Sequence, residues 1–182
     1  ALSFMLENLS KPVVFTGSQL PIGDLRTDAK ENLITAIQIA SLQHKGKPVI
    51  HEVCLYFEYK LHRGNRTTKI NAEHFNAFTS PNYSPLAESG VHLKVNHHLI
   101  IPRNSSKKLM VHKELDDNVV VLKMFPGINE TVLNAVLNIP NLKGMILETY
   151  GSGNALTEDW FLSSLKKAIK KGLHIVNVTQ CS

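Results

Sequence analysis

The sequence predicts an α/β protein made of two domains, and three observations carry this prediction. Short apolar runs that end in turns alternate with segments of helical periodicity, which is the pattern of βαβ units with parallel strands. The alternation breaks over residues 102–117, whose Ser, Asn and Lys content is typical of an inter-domain linker, and then resumes. Hydrophobic residues make up 43% of the chain and charged residues 19%, as in ordinary globular proteins. We therefore place one domain over residues 1–101 and a smaller, doubly wound domain over residues 118–182.

The first domain is predicted to open with a helix followed by a strand. Residues 1–9 have the pattern of the second half of an amphipathic helix, and residues 12–16 form a β-branched run that ends in a glycine turn. A second helix is predicted over residues 28–42, where Asp28 and Glu31 have the spacing of a capping box.

The rest of the first domain is predicted to be extended. A strand over residues 49–57 completes a βαβ unit with the strand before the helix. Residues 59–83 are polar and rich in hydroxyl groups, which indicates a hairpin, and residues 91–101 form a further extended segment. Open α/β sheets bind ligands in the loops at the carboxyl ends of their parallel strands, so we expect a site there.

The second domain repeats the alternation of strands and helices. Its strands are predicted over residues 118–124, 144–147 and 174–178. The intervening helices are predicted to be capped by Asn129 and Thr157, because the side-chain oxygens of these residues can accept from the first free amides of a helix. Neither end of the chain has a complete flanking element, and we expect the chain to start and end inside a domain.

The charge pattern argues against nucleic-acid and membrane partners. Lys and Arg number 20 against 15 Asp and Glu, a formal net charge of +5. The densest run of lysines lies within residues 166–171, where it complements the negative end of a predicted helix rather than forming a nucleic-acid surface. No apolar run approaches the roughly 20 residues that span a bilayer.

The residue types that commonly bind metals and cofactors do not occur here at the spacings that such sites require. Cys54 and Cys181 are far apart, which argues against a zinc site and a disulfide framework and favours a reducing compartment. The nine histidines include no His-Glu-x-x-His pattern. Gly151 and Gly153 follow a predicted strand, but Leu156 stands where a dinucleotide site needs a small residue. We predict no metal and no cofactor.

Three polar residues in predicted loops are candidates for a role in catalysis or binding. Lys69 lies among hydroxyl residues, and a lysine beside a carboxylate can relay a proton for a nucleophilic hydroxyl; a solvated turn lysine is the alternative interpretation. Ser18 follows the first strand without the Gly-x-Ser-x-Gly elbow of a nucleophile, so we interpret it as a positioning element. Asn154 carries an amide that both donates and accepts hydrogen bonds.

Six sequence blocks occur in a characteristic order along the chain. They are residues 11–21 (KPVVFTGSQLP), 26–28 with 32–33 (RTD and NL), 63–69 (RGNRTTK), 78–86 (FTSPNYSPL), 148–154 (ETYGSGN) and 176–181 (VNVTQC). Together they resemble the type I, cytoplasmic L-asparaginases. Because several blocks agree in order and spacing over essentially the whole chain, the resemblance is far more specific than any one block.

The resemblance implies a fold, a reaction and a cellular location. Residues 1–101 would be the carboxyl-terminal part of a large domain with three layers around a parallel sheet, and residues 118–182 the start of the small C-terminal domain. The reaction would convert L-asparagine and water to L-aspartate and ammonia in the cytoplasm, through a threonine acyl-enzyme and without a cofactor. The family motifs Thr-Gly-Gly-Thr-Ile and His-Gly-Thr-Asp-Thr would precede Ala1, so we expect this chain alone to be inactive.

The resemblance also assigns roles to three residues. Lys69 matches the catalytic lysine, which bonds the aspartate of the upstream motif and activates its second threonine. Ser18 matches the position whose backbone faces the side-chain amide of the substrate. Asn154 matches a residue that reaches into the site of a neighbouring subunit and helps to hold the α-amino and carboxylate groups of asparagine. An intimate homodimer, often paired into a tetramer, is therefore implied.

Some type I enzymes carry an effector site for asparagine near the subunit interface. The matching positions here are Thr68, Thr179, Gln180 and Cys181. The place of an effector-binding arginine is taken by Glu148, whose charge would repel the effector carboxylate. We therefore expect no allosteric control by asparagine.

Two other functions stay open beside the free asparaginase. One is the related amidase subunit that supplies ammonia to an RNA-linked amidotransferase, although the Thr-Gly-Ser-Gln-Leu-Pro block favours the free enzyme. The other is a binding or assembly module without a nucleophile. Asparagine and glutamine both stay open as substrates.

Overall fold

The structure, a computed structural model, describes residues 1–102 and 106–181. Contacts divide the chain into a first unit, Ala1–Lys113, and a second unit, Glu114–Ser182. Residues 103–105 of the expected linker lie outside the described residues. Among the described helices, none combines the length and the apolar character needed to cross a bilayer.

The first unit is built on a five-stranded mixed sheet. The strands of the unit are β1 (Leu6–Glu7), β2 (Val13–Phe15), β3 (Gln43–His44), β4 (Lys47–Pro48), β5 (Val53–Phe57), β6 (Lys60–Arg63), β7 (Thr68–Lys69), β8 (Phe78–Thr79), β9 (Ala87–Glu88), β10 (Lys94–Val95) and β11 (Met110–Val111). The sheet order is β10-β9-β6-β5-β2, and only β2 and β5 are parallel. The β2–β5 pair has the expected parallel direction, and the rest of the sheet is antiparallel because the tight turn at Glu58 and Tyr59 sends the chain back beside β5.

The predicted βαβ unit is confirmed. Helix α1 is Leu2–Met5, helix α2 is Ala29–Ser41, and short 3-10 turns occupy Gly64–Arg66 and His97–Leu99. Helix α2 connects β2 to the parallel strand β5 and packs on the sheet. The core of the unit is formed by Ala36, Ile39, Ile50, Cys54, Tyr56, Leu61, Leu86 and Ala87. The carboxyl ends of β2 and β5 therefore lie side by side, as a site at this edge requires.

The predicted opening helix is wrong over most of its length. Helix α1 has four residues, and the chain then becomes extended at β1. Strand β1 pairs antiparallel with β11, which lies inside the expected linker. Asn8 follows with a φ of 60°, so the backbone turns where the helix was expected to continue.

The capping box predicted for helix α2 is absent. Asp28 has helical backbone angles and makes no side-chain bond to the helix amides. Thr27 takes this role, since its Oγ1 accepts from the amide of Ala29 at 3.0 Å. The Glu31 carboxylate accepts instead from the Tyr56 hydroxyl at 2.6 Å. Both carboxylates are therefore free to organise other segments.

The polar stretch predicted as one hairpin contains two. The first joins β5 to β6 through Glu58 and Tyr59, whose φ values are 44° and 65°. Left-handed angles at both central residues are typical of the tight turns that match the twist of two antiparallel strands. The second hairpin pairs β7 with β8. A further pair, β3 with β4, follows helix α2.

The second unit is a three-stranded parallel sheet with two helices. Its strands are β12 (Val119–Lys123), β13 (Gly144–Thr149) and β14 (His174–Thr179), in that order, and its helices are α3 (Glu130–Leu137) and α4 (Asp159–Lys170). The strand predictions are confirmed. Leu133 of α3 and Phe161 of α4 share one core with Met145 and Leu147 of β13. The reversal of strand order that defines a doubly wound sheet does not occur within the described residues.

The two predicted helix caps of this unit have different outcomes. Asn129 caps α3, since its Oδ1 accepts from the amide of Val132 at 3.1 Å. The prediction for Thr157 is wrong: α4 begins at Asp159 with Glu158 in the cap position and no side-chain cap bond. The helix starts one residue later than a cap at Thr157 requires, so Thr157 precedes the cap position.

Candidate active site

The loop after β2, which carries Ser18, is fixed by one carboxylate. Both oxygens of Asp28 accept from the amide of Gln19 at 3.0 Å, and Oδ1 also accepts from the amide of Leu20 at 3.2 Å. Ser18 itself is exposed. Because the residues after it are held through their amides, its backbone has a defined position at the end of β2.

Asn32 joins this loop to its surroundings. Its side chain is 1% exposed, and its Nδ2 donates to the Gly17 carbonyl and to the Asp28 carboxylate, each at 3.0 Å. Its Oδ1 accepts from the amide of Glu58 at 3.2 Å. One buried amide thus connects helix α2, the loop after β2 and the turn after β5. In each of these bonds a hydrogen-bond donor faces an acceptor.

Lys69 lies on the β7–β8 hairpin and points away from the core. It is exposed, and its Nζ lies 5.9 Å from the centroid of the Phe78 ring, opposite it in the hairpin. Phe78 in turn meets the Phe57 ring edge to face at a centroid distance of 5.1 Å. The side chain of Lys69 makes no hydrogen bond or ion pair with the described residues. Its ammonium group is held near an aromatic face and is free to bind an anion.

Gln19 links the two elements that carry Ser18 and Lys69. Its Nε2 donates to the carbonyl of Ala72 at 3.0 Å and to that of His74 at 2.7 Å, both in the loop that connects β7 with β8. The Ser18 loop and the Lys69 hairpin are therefore parts of one assembly at the carboxyl end of the β2–β5 pair.

A buried ion pair supports the base of the Lys69 hairpin. Glu52 and Arg63, with side chains 6% and 12% exposed, meet through Oε2 and Nε at 2.5 Å. The guanidinium of Arg63 also lies 4.4 Å from the centroid of the Tyr83 ring. The Arg63 carbonyl accepts from the Thr67 hydroxyl at 2.7 Å, two residues before Lys69.

The turn at Gly64 depends on the absence of a side chain. A Cβ at this position would lie 2.9 Å from the Val53 carbonyl oxygen, closer than real Cβ contacts. Only glycine allows the chain to pass this close to β5 before it enters the segment that leads to Lys69.

An open cleft of about 370 Å³ adjoins the hairpin. It is lined by Ala1, Leu2, Ser3, Phe15, Val53, Cys54, Leu55, Gly64, Thr67 and Phe78. Burial raises the pKa of the Cys54 thiol, and the nearby Glu52 carboxylate raises it further, so this thiol is a poor nucleophile. Within the described residues, no group of three or more His, Cys, Asp or Glu side chains is placed to hold a metal ion.

Asn154 occupies an exposed turn after β13 in the second unit. Its carbonyl accepts from the amide of Tyr150 at 2.9 Å, and the Tyr150 carbonyl accepts from the amide of Gly153 at 2.7 Å. Gly153 has a φ of 84°, which favours glycine. The backbone of the turn is thus fixed while the Asn154 amide faces solvent.

The structure brings together four of the five predicted effector-site residues. Gln180 donates through Nε2 to the carbonyl of Glu148 at 3.1 Å, and the Thr179 hydroxyl accepts from the amide of Cys181 at 3.1 Å. Thr68 lies in the first unit, where it pairs with Thr79. The cluster is formed by the carboxyl ends of β13 and β14, and its role as an effector site stays a prediction.

Three residues that organise the site were missed by sequence reasoning. Asn32 and Gln19 stand inside the recognised blocks, yet their bonds join segments up to 55 residues apart. The partner of Arg63 is Glu52, which immediately precedes the neighbouring strand β5. The apolar pattern of helix α2 gave no signal for Asn32, because Leu33 and Ile34, which follow it, are exposed while Asn32 is buried.

Comparison with known proteins agrees with this arrangement. A family model described as "Asparaginase, N-terminal" matches residues 1–101, and one described as "Glutaminase/Asparaginase C-terminal domain" matches residues 118–182. The chain is 43% identical over 181 residues to L-asparaginase 1 of Escherichia coli strain K12, covering 100% of this chain and 52% of that protein. It is 46% identical over 180 residues to the 60 kDa lysophospholipase of Mus musculus, covering 99% of this chain and 31% of that protein.

A solved structure gives the same result for the fold. The crystal structure of L-asparaginase I from Vibrio cholerae superposes with a TM-score of 0.88 at 40% identity, covering 99% of this chain and 53% of that chain. The chain thus spans about half the length of these asparaginases and less than a third of the lysophospholipase. The two-domain α/β fold and the resemblance seen in the sequence are confirmed, and the chain belongs to the asparaginase family.

Proposed function

We propose that the full-length protein is an L-asparagine amidohydrolase. A threonine hydroxyl attacks the side-chain amide carbon, the C–N bond breaks, and ammonia leaves with a proton relayed from the hydroxyl. Water then cleaves the acyl-threonine ester, which releases L-aspartate and restores the hydroxyl. The threonine and the aspartate of the proton relay come from the family motifs that are not among these 182 residues.

The observation that carries this proposal is the place of Lys69. The hairpin that bears it is tied to the Ser18 loop through Gln19, and its Phe78 and Thr67 line the same cleft as Ala1. A segment joined to Ala1 would therefore enter beside the hairpin. This agrees with a relay in which the ammonium of Lys69 bonds an aspartate that is close to Ala1 in sequence.

A lysine in this position has a clear chemical task. An alkyl hydroxyl ionises far above neutral pH, so it needs a group that accepts or relays its proton as it attacks. Lys69 has no anionic partner among the described residues and is available to one supplied by the upstream segment. The backbone at Ser18 then faces the substrate amide, while Asn154 of a second copy holds the α-amino and carboxylate groups. With Asn154 supplied by a second copy, the proposed enzyme is a homodimer, alone or as half of a tetramer. We further propose that it acts on free asparagine in the cytoplasm, as the family resemblance implies.

The assay that tests the proposal is ammonia release by the full-length protein supplied with L-asparagine. We expect equal amounts of ammonia and L-aspartate, and none from the isolated 182-residue chain. Absence of turnover by the pure full-length protein would rule the proposal out. L-Glutamine in a parallel assay decides the preference between the two amides.

A second candidate substrate comes from the relatives named 60 kDa lysophospholipase, one of which is 46% identical to this chain. An acyl-enzyme mechanism applies to esters as well as amides, so a lysophospholipid belongs in the same assay. Fatty acid release without ammonia release would favour that reaction for the full-length protein.

The amidotransferase alternative has weaker support. A subunit of the glutamyl-tRNA(Gln) amidotransferase of Pyrococcus abyssi is 28% identical to the chain over 183 residues. A stable partner protein of different sequence that purifies with the full-length protein would favour this alternative, and a homo-oligomer with free asparaginase activity would exclude it.

A further inference from the structure

We propose that Gln19 is a positioning residue that holds the Lys69 hairpin in a fixed position relative to the Ser18 loop. The inference rests on the proposed function for its kinetic readout, but the structural link stands on geometry alone. Gln19 is the residue whose side chain joins the two elements, through its bonds to the Ala72 and His74 carbonyls.

The chemistry of the link specifies glutamine. The amide nitrogen has two hydrogens, and each is directed at one carbonyl, at 3.0 Å for Ala72 and 2.7 Å for His74. The reverse orientation of the amide would place its oxygen against two carbonyl oxygens, so the partners themselves fix the orientation. A carboxylate would be repelled by the same two oxygens, and an apolar side chain of similar length would leave both without a donor.

The hairpin needs an external restraint. Strands β7 and β8 have two residues each, and two-stranded hairpins are marginal in water. The connecting loop closes on itself through the amides of Ile70 and Asn71, which donate to the Ala77 carbonyl at 2.8 and 3.3 Å. These bonds shape the loop but do not fix it relative to β2. Among the side-chain hydrogen bonds of the described residues, those of Gln19 supply that restraint, beside the Phe57–Phe78 ring contact.

Gln19 is itself anchored by the charged side chain that orders the Ser18 loop. The backbone amide of Gln19 donates to both carboxylate oxygens of Asp28, while its side-chain amide donates to the His74 carbonyl in the loop of the hairpin. A continuous set of bonds therefore runs from helix α2 to the loop between the strands of the Lys69 hairpin. Displacement of a reacting group by about 1 Å can reduce turnover about 100-fold, so this restraint bears directly on catalysis.

The test compares Gln19→Met with Gln38→Met in the full-length protein. Gln38 is exposed on helix α2, and its side chain forms no such link between segments of the described chain, so it controls for the change of residue type. We expect Gln19→Met to accelerate hydrogen exchange of the Ile70 and Asn71 amides about tenfold or more and to lower kcat about tenfold, with KM changed by less than about threefold. Gln38→Met should match wild type in all three measurements.

A second variant provides an independent readout. At pH 8, Gln19→Glu should speed exchange relative to wild type more than Gln19→Met does. At pH 4, close to the ordinary glutamate pKa of about 4.3, partial protonation should restore one donor and reduce that ratio, each rate being compared with wild type at the same pH because intrinsic exchange itself slows with falling pH. Wild-type exchange in both Gln19 variants would overturn the inference. Because exchange is measured without substrate, a full-length protein that lacks asparaginase activity would contradict the proposed function and leave this test intact.

Discussion

Asn32 shows at the scale of a single residue how the site is held. Burying an amide whose hydrogen bonds are all satisfied costs the fold little stability, whereas burying the same amide without partners costs about 1–3 kcal/mol. Its donors and acceptors reach Gly17, Asp28 and Glu58, which are far apart in sequence and adjacent in space. Sequence reasoning identified the block around Asn32 but gave Asp28 to the helix cap, because a carboxylate at the first turn of a helix favours that role when the fold of the preceding loop is unknown.

His62 gives a prediction about pH and stability. Burial lowers the pKa of this imidazole below its usual value of 6.5, and the positive charge of Lys60 lowers it further. Below about pH 6.5 the unfolded chain therefore protonates this imidazole more readily than the folded chain does. His62 does not lower the free energy of unfolding above that pH, and it lowers it progressively as the pH falls below 6.5.

The measurement for His62 is urea denaturation between pH 7.5 and 5. We expect the free energy of unfolding to fall less over this range in His62→Phe than in wild type. His44→Phe, a change at an exposed site, should follow the wild-type curve. Equal slopes for His62→Phe and wild type would show that burial of this imidazole has no linkage to folding.

At the scale of elements, the sequence patterns predicted the type of each segment, helix or strand, more accurately than its boundaries. The alternation of β2, α2 and β5 and the three strands of the second unit were predicted because apolar periodicity is a local property. Strands β1 and β11 were not, because the pairing of Leu6 with Val111 joins positions more than 100 residues apart. The turn at Glu58 and Tyr59 lacks the glycine that signals a tight hairpin, which hid the antiparallel half of the sheet.

The two helix caps of the second unit give a paired prediction. Asn129→Ala should lower the free energy of unfolding by about 1 kcal/mol, because the Val132 amide loses its acceptor. Thr157→Ala should leave it unchanged, since α4 has no side-chain cap bond. Chemical denaturation of both variants checks this, and a larger loss for Thr157→Ala would reverse the assignment of the caps.

At the scale of the whole molecule, the proposed active unit contains residues from two chains. Lys69 and Asn154 stand in different units of this chain, and the family resemblance puts Asn154 in the site of a neighbouring subunit. The prediction of two domains came from the interrupted alternation of strands and helices, and the order of the family blocks agrees with it. The mixed sheet of the first unit was not predicted, because strand direction depends on connections that local periodicity does not encode.

Mixed oligomers test the shared site. Full-length Lys69→Met and Asn154→Ala proteins should each be impaired, yet a mixture that is dissociated and reassembled should regain about a quarter of wild-type turnover, since half of the dimers are mixed and each contains one intact site. Mixing without any gain over the average of the two parents would place Asn154 in the site of its own chain.

The most direct test of the account is the turnover of L-asparagine by full-length Lys69→Met. Loss of an element of the proton relay should reduce kcat about 100-fold or more. Lys47→Met, which removes an exposed lysine on the β3–β4 hairpin, should retain wild-type kcat. A Lys69→Met protein that releases ammonia at a near-normal rate would contradict the central claim that this amine takes part in amide hydrolysis.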